Sequence, residues 1–171
     1  MDGSAVGDLA KSVTRSLADV VGVPLRRVVI RTLDGEISNR DELTDPWLHI
    51  GGEVRLDFEA QPVFVSWVQK EGWPVFCSIG VRSESLFMRD STLVDWDVGN
   101  LVPWSMCIDQ HLLAARVFTI DETPQVVEFS FDGQDFWMAS GHEQDVGDGD
   151  DLLIRPGPFP GHEGAKLVWP V

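Results

Sequence analysis

Short runs of β-branched and alternating apolar residues, separated by tight polar turns, limit what this chain can fold into. Val126 to Phe131 and Phe136 to Ser140 flank Asp132-Gly133-Gln134-Asp135, a hairpin signal. Val54 to Phe58, Val63 to Gln69 and Val75 to Val81 follow one another in the same manner, the last two joined by Lys70-Glu71-Gly72-Trp73-Pro74. Leu25 to Leu33 (LRRVVIRTL) is β-branched and stops at the turn Asp34-Gly35. A side-chain period of two buries one face of a sheet and wets the other. Parallel neighbours need a crossover of a dozen residues or more, and the intervals here are too short. The strands are therefore expected to be antiparallel.

Weaker segments fill in the rest. Leu86 to Met88, Leu93 to Trp96, Ala115 to Ile120 and Leu152 to Arg155 are further strand candidates. Asn39 to Thr44 is polar, a loop or one helical turn. Asp45-Pro46-Trp47 has the form of an N-cap with Pro in the first helical position, in a turn cut short by Gly51-Gly52. Asp97 to Asn100 is a turn. Trp104 to Ala115 has apolar spacing that suits a helical turn leading into a strand. A Pro- and Gly-rich tail follows Arg155.

One long helix is expected, over residues 4–22. Val6, Leu9, Ala10, Val13, Leu17, Val20 and Val21 fall on one face, with Lys11, Arg15 and Asp19 opposite. Ser4 caps its start, Gly22 suits a left-handed stop and Pro24 forbids continuation. The stripe is narrow and rich in Val and Ala, which favours packing on a sheet. The fold class expected is α+β: an N-terminal amphipathic helix on a mostly antiparallel, meandering β-sheet. With 171 residues the chain makes a single domain, 1–171. An echo runs through it. Asp57, Gln61, Val63 and Ser66 recur in spacing as Asp121, Gln125, Val127 and Ser130. Residues 53–81 and 116–141 thus read either as a duplicated three-stranded meander or as two hairpins alike by chance.

Charge narrows the function. Thirteen Lys and Arg stand against 28 Asp and Glu, a net −15 at neutral pH. That argues against gripping nucleic-acid phosphates and against attraction to anionic lipid. No basic leader precedes an apolar stretch at the N-terminus, and no apolar run is long enough to cross a bilayer. The expected location is the cytoplasm. Cys77 and Cys107 sit in apolar surroundings and read as small buried hydrophobes, with no spacing for zinc.

Catalytic and cofactor motifs are missing from the sequence. It has neither a G-x-S-x-G elbow nor a phosphate-binding glycine loop. His49, His111, His142 and His162 lack metal-ligand spacing, and Ser83, Ser85 and Ser91 sit in a loop-like polar stretch. The acidic stretch Asp145 to Asp151 departs from the EF-hand pattern at Gly147 and Gly149 and reads as a solvated loop. Asp95 and Asp97 would share a strand face around Trp96, but carboxylate pairs are common in so acidic a chain. No metal, cofactor or catalytic residue is therefore assigned.

Seven Trp and nine Phe stand beside no Tyr. Several Trp have acidic neighbours: Trp47 after Asp45, Trp96 between Asp95 and Asp97, Trp137 beyond Asp135. An aromatic anchor with charge around it is the usual content of a binding hot spot. A field of this sign steers cationic partners inward. The expected function is a non-enzymatic acidic protein that binds a basic protein partner through Trp47, Asp95, Trp96, Asp97, Asp135 and Trp137. Small acidic bacterial immunity proteins, which neutralise toxins, are similar in size and charge, and only in those. Two alternatives remain open: a small-molecule-binding or enzymatic β-rich domain with an aromatic-lined pocket, and an oligomer with Trp at its subunit interface.

Overall fold

The computed structural model describes residues 13–69, 77–87, 92–142, 145–146 and 151–170. Within them the alternating segments pair into two antiparallel sheets. The first contains β1 (Leu25–Leu33), β3 (Glu53–Phe58), β4 (Pro62–Gln69), β5 (Cys77–Arg82) and β6 (Leu93–Asp97), in the order β5-β4-β3-β1-β6. The second contains β2 (His49–Ile50), β7 (Ala114–Ile120), β8 (Thr123–Phe131), β9 (Gln134–His142), β11 (Asp151–Pro156) and β12 (Lys166–Pro170). Its order is β12-β7-β8-β9-β11-β2, with β10 (Asp145–Val146) also pairing with β9.

Register explains the shared core. Val28 lies opposite Leu56 and Ile30 opposite Val54, which lies opposite Val65 in turn. In the other sheet Val117 faces Val127, which faces Met138. These inward rows belong to one continuous cluster of buried side chains. Rings lock the layers together: Phe58 stacks on Phe131 at 6.5 Å, and Phe136 stacks on Phe129 at 5.0 Å and on Phe131 at 5.7 Å. Burying each such side chain contributes roughly 1.5–3 kcal/mol. The architecture is a two-layer β-sandwich.

The expected long helix needs correction. Among the described residues it is helical only over residues 13–18, followed by turns; residues 4–12 lie outside the described set. Val13, Leu17 and Val20 are fully buried, so the stripe does its expected packing. The helix ends at residue 18, before the expected stop at Gly22; Gly22 takes φ +80° at the end of the turns that follow, and its N–H bonds to the Leu112 carbonyl at 2.8 Å. The fold is β-rich with one short helix. It is not an α+β domain built on a long amphipathic one.

Most strand bounds agree with the pattern, and β1 agrees to the residue. Three segments differ. Residues 86–87 form a turn, with the Phe87 N–H donating to Ser85 Oγ at 3.0 Å, while Met88 lies outside the described residues. After the 3-10 turn Arg40–Thr44, Asp45 Oδ1 accepts the Trp47 N–H at 2.8 Å. The chain there makes a side-chain-closed turn, not a helix start. The Pro-rich tail contains a strand, β12, which pairs with β7. The two echoing segments occupy β4 and β8, the middle strands of the meanders β3–β5 and β7–β9. No helix among the described residues is long and apolar enough to cross a membrane.

Candidate functional site: an aromatic groove on the second sheet

On β9 the side chains alternate. Phe136 and Met138 enter the shared core, which turns Trp137 and Ala139 to the opposite, outer face. Pairing sets a row across that face: Arg116 opposite Glu128, Glu128 opposite Trp137, Trp137 opposite Arg155. Below it Val126, Ala139 and Leu153 form a second apolar patch.

The chain then folds its own tail over part of this patch. Gly157, at φ +89°, bends it back, and its N–H bonds to the Asp135 carbonyl at 2.7 Å. The Phe159 N–H donates to Glu128 Oε2 at 2.7 Å, while Arg116 holds Oε1. The Phe159 ring packs at 4.9 Å from Phe118 and 5.2 Å, edge-on, from Trp137. Pro156-Gly157-Pro158-Phe159-Pro160 thus forms a strap with one aromatic anchor. A nearly buried glutamate that accepts both a guanidinium and a backbone N–H is satisfied without solvent.

On the other side stands the turn of Pro46 and Trp47. Trp47 is 55% exposed. The Arg155 guanidinium lies 5.0 Å from its ring centroid, a cation–π arrangement. Arg155 itself is buried, and its Nη1 donates to the Leu48 carbonyl at 2.6 Å and the Ile154 carbonyl at 3.0 Å. Burial lowers its pKa and Asp45 partly opposes this; an arginine nonetheless remains protonated. The exposed indole therefore rests on a fixed cation.

Between strap and turn lies a groove of about 470 Å³, lined by Trp47, Trp137, Leu153, Pro158 and Phe159 among others. That volume lies in the range of ligand sites. Acids flank it. Asp45 begins the Trp47 turn, Asp151 holds His49 Nδ1 at 3.1 Å, and Glu163 follows the groove residue His162.

Of the residues predicted from sequence, the structure brings Trp47 and Trp137 to this groove. Asp135 lies on the face of Trp137, half-buried, with its carbonyl tied to the strap. Asp95, Trp96 and Asp97 lie elsewhere, on β6 at the edge of the first sheet. Both carboxylates there are matched by arginines of β1: Asp95 by Arg31 at 2.7 Å and Asp97 by Arg27 at 2.7 Å. The hydrogen bond from Arg27 holds the Asp97 carboxyl below its usual pKa. Trp96 is partly buried and its indole N–H bonds to Thr32 Oγ1 at 3.1 Å. Beside them, fully buried Glu53 accepts from Arg31 Nη1 at 3.0 Å, from the Leu86 N–H at 3.3 Å and from the Ser85 hydroxyl.

Sequence reasoning missed Arg155, Glu128 and Phe159. Phe159 had a signal, a lone ring among prolines in a tail read as loop. Arg155 and Glu128 had none, since a charge in a strand normally marks the wet face.

The remaining reactive groups do not converge among the described residues. Cys107 is buried and its thiol is pushed up to about 12, chiefly by desolvation, which suits an inert core residue. The side chains of Cys77 and His142, and the whole of Ser91, lie outside what the structure describes. His111 makes an isolated bridge with Pro24, and His162 Nδ1 lies 2.8 Å from the Glu163 carbonyl. No cluster of three or more metal-ligating side chains occurs among the described residues. Of the acidic glycine loop, Asp145–Val146 pairs with β9 and residues 147–150 fall outside the described set. No family model matches the chain, and neither a curated protein nor a solved structure matches it significantly.

Proposed function

We propose that the protein is a non-catalytic binding protein that recognises a basic protein partner, with the groove between Trp47 and Trp137 as its point of contact. The observation that carries this reading is the half-exposed Trp47 indole, braced by buried Arg155 in a turn closed by Asp45, on a chain of net charge −15. A rigid aromatic anchor loses little conformational entropy on binding, and the surrounding negative field raises the association rate for a cation-rich partner. Asp95 and Asp97 are given less weight, because Arg31 and Arg27 already neutralise them. The protein acts in the cytoplasm on this reading, and toxin neutralisation of the immunity-protein type is its most specific form.

Pull-down from the native host, repeated with Trp47→Ala and in a salt series, tests the proposal. A partner lost with rising salt and lost with Trp47→Ala supports it. Capture that survives both overturns it. The groove volume favours a second reading, a small apolar ligand held between the two indoles. Salt-insensitive binding of such a molecule would distinguish it.

A further inference from the structure

Resting on that reading of the groove, we propose that the part of the partner entering it is an extended, proline-rich segment in the polyproline II conformation, with Lys or Arg beside the prolines. Three observations lead there.

The walls come first. Trp47 lines one side of the groove, and Trp137 with the edge-on Phe159 and Pro158 lines the rest, so much of its wall is flat rings. Proline-rich helices dock in grooves of this kind, because their ring ridges fit between aromatic planes and their ordering entropy is already spent. Next comes a natural example inside the chain. Its own Pro-Gly-Pro-Phe-Pro strap lies across this same sheet face, with Phe159 edge-on to Trp137 and its N–H held by Glu128. A proline-rich stretch anchored by one ring thus already lies on this face, and the groove runs on from it to Trp47.

Polar complementarity is the third. A polyproline II backbone makes no internal hydrogen bonds and leaves its carbonyls free. The Trp47 indole N–H, on a half-exposed ring, has no acceptor among the described residues and can serve one of them. Asp45 and Glu163 adjoin the lining residues Pro46 and His162 in the chain and supply carboxylates for a cationic side chain next to the prolines.

The test titrates the whole protein with three labelled peptides of equal length, repeats of Pro-Pro-Arg, Ala-Ala-Arg and Pro-Pro-Glu, by fluorescence polarisation. The Pro-Pro-Arg peptide is expected to bind saturably, the other two about tenfold or more weakly, and Trp47→Ala to lose about tenfold or more. The Trp47 indole N–H resonance should move on binding, a readout that needs no variant. Equal binding of Ala-Ala-Arg overturns the proline inference and leaves the basic-partner reading standing. Equal binding of Pro-Pro-Glu keeps proline recognition and overturns the charge requirement together with the basic-partner reading. Absence of saturable binding by Pro-Pro-Arg, or an unmoved Trp47 resonance, overturns the inference, while a salt-labile, Trp47-dependent complex with a host protein would still uphold the broader reading.

Discussion

Replacing Arg31 with Met leaves Glu53 buried with its closest cation gone. Glu53 is fully buried, and Arg31 Nη1 at 3.0 Å is its only ion-pair partner among the described residues. Breaking a buried pair from one side costs about 3–5 kcal/mol. The Ser85 hydroxyl and the Leu86 N–H still reach the carboxylate, and Arg82 contributes a weaker attraction. These remnants put the expected loss near the low end, about 3 kcal/mol. Arg31 also pairs with Asp95, whose side chain is 53% exposed; solvent-screened pairs of that kind add about 1 kcal/mol at most. Arg31→Met/Glu53→Leu should behave differently. Exchanging both charges for apolar groups is often neutral or better, so the double variant should recover most of the loss. Urea unfolding followed by intrinsic fluorescence, run as a double-mutant cycle, measures both. A single-variant cost below about 1 kcal/mol, or costs that simply add, would refute the claim that Glu53 is a buried ion held by Arg31.

Other perturbations test other parts. Phe159→Ala removes two ring contacts worth about 0.5–1.5 kcal/mol each. It should cost about 1–3 kcal/mol and raise hydrogen exchange in the strap more than in the core strands. Arg27→Met removes the bond that depresses the Asp97 pKa from its ordinary 3.8. A depressed carboxylate stabilises the fold above its unfolded pKa and loses that contribution as pH falls through the folded value. The stability gap between wild type and Arg27→Met should therefore be constant at neutral pH and close below about pH 4; a gap that widens in acid contradicts the pairing. Cys107, with its thiol near 12, should resist iodoacetamide in the native protein at mildly alkaline pH and react after unfolding, as peptide mass mapping will show.

Antiparallel pairing was legible because alternation and turn chemistry act over a few residues. Leu25–Leu33 and the turn around Gly133, at φ +79°, needed only local signals. The helix was read from an apolar period that is real, since Val13, Leu17 and Val20 are buried, but among the described residues its helical turns stop at residue 18, short of Gly22. β12 was hidden because Leu167, Val168 and Trp169 make a run too short to stand out among prolines and glycines, and only pairing with β7 makes it a strand. The groove was half legible. Trp47 and Trp137 could be singled out by their neighbours, but their meeting depends on β11 delivering Arg155 between them. Asp95 and Asp97 illustrate the converse. Their acidity was plain, and the arginines that neutralise them sit far away in sequence, set opposite by register alone. Glu53 and Glu128 alternate like wet-face residues, yet one is covered by the Ser85 turn and the other by the strap.

The most direct measurement is isothermal titration of the purified partner against wild type and Trp47→Ala at low and high salt. The account predicts an association constant that falls as salt rises, and a loss of about tenfold or more in the variant at every salt concentration. Equal affinity for both proteins, or binding indifferent to salt, would contradict it.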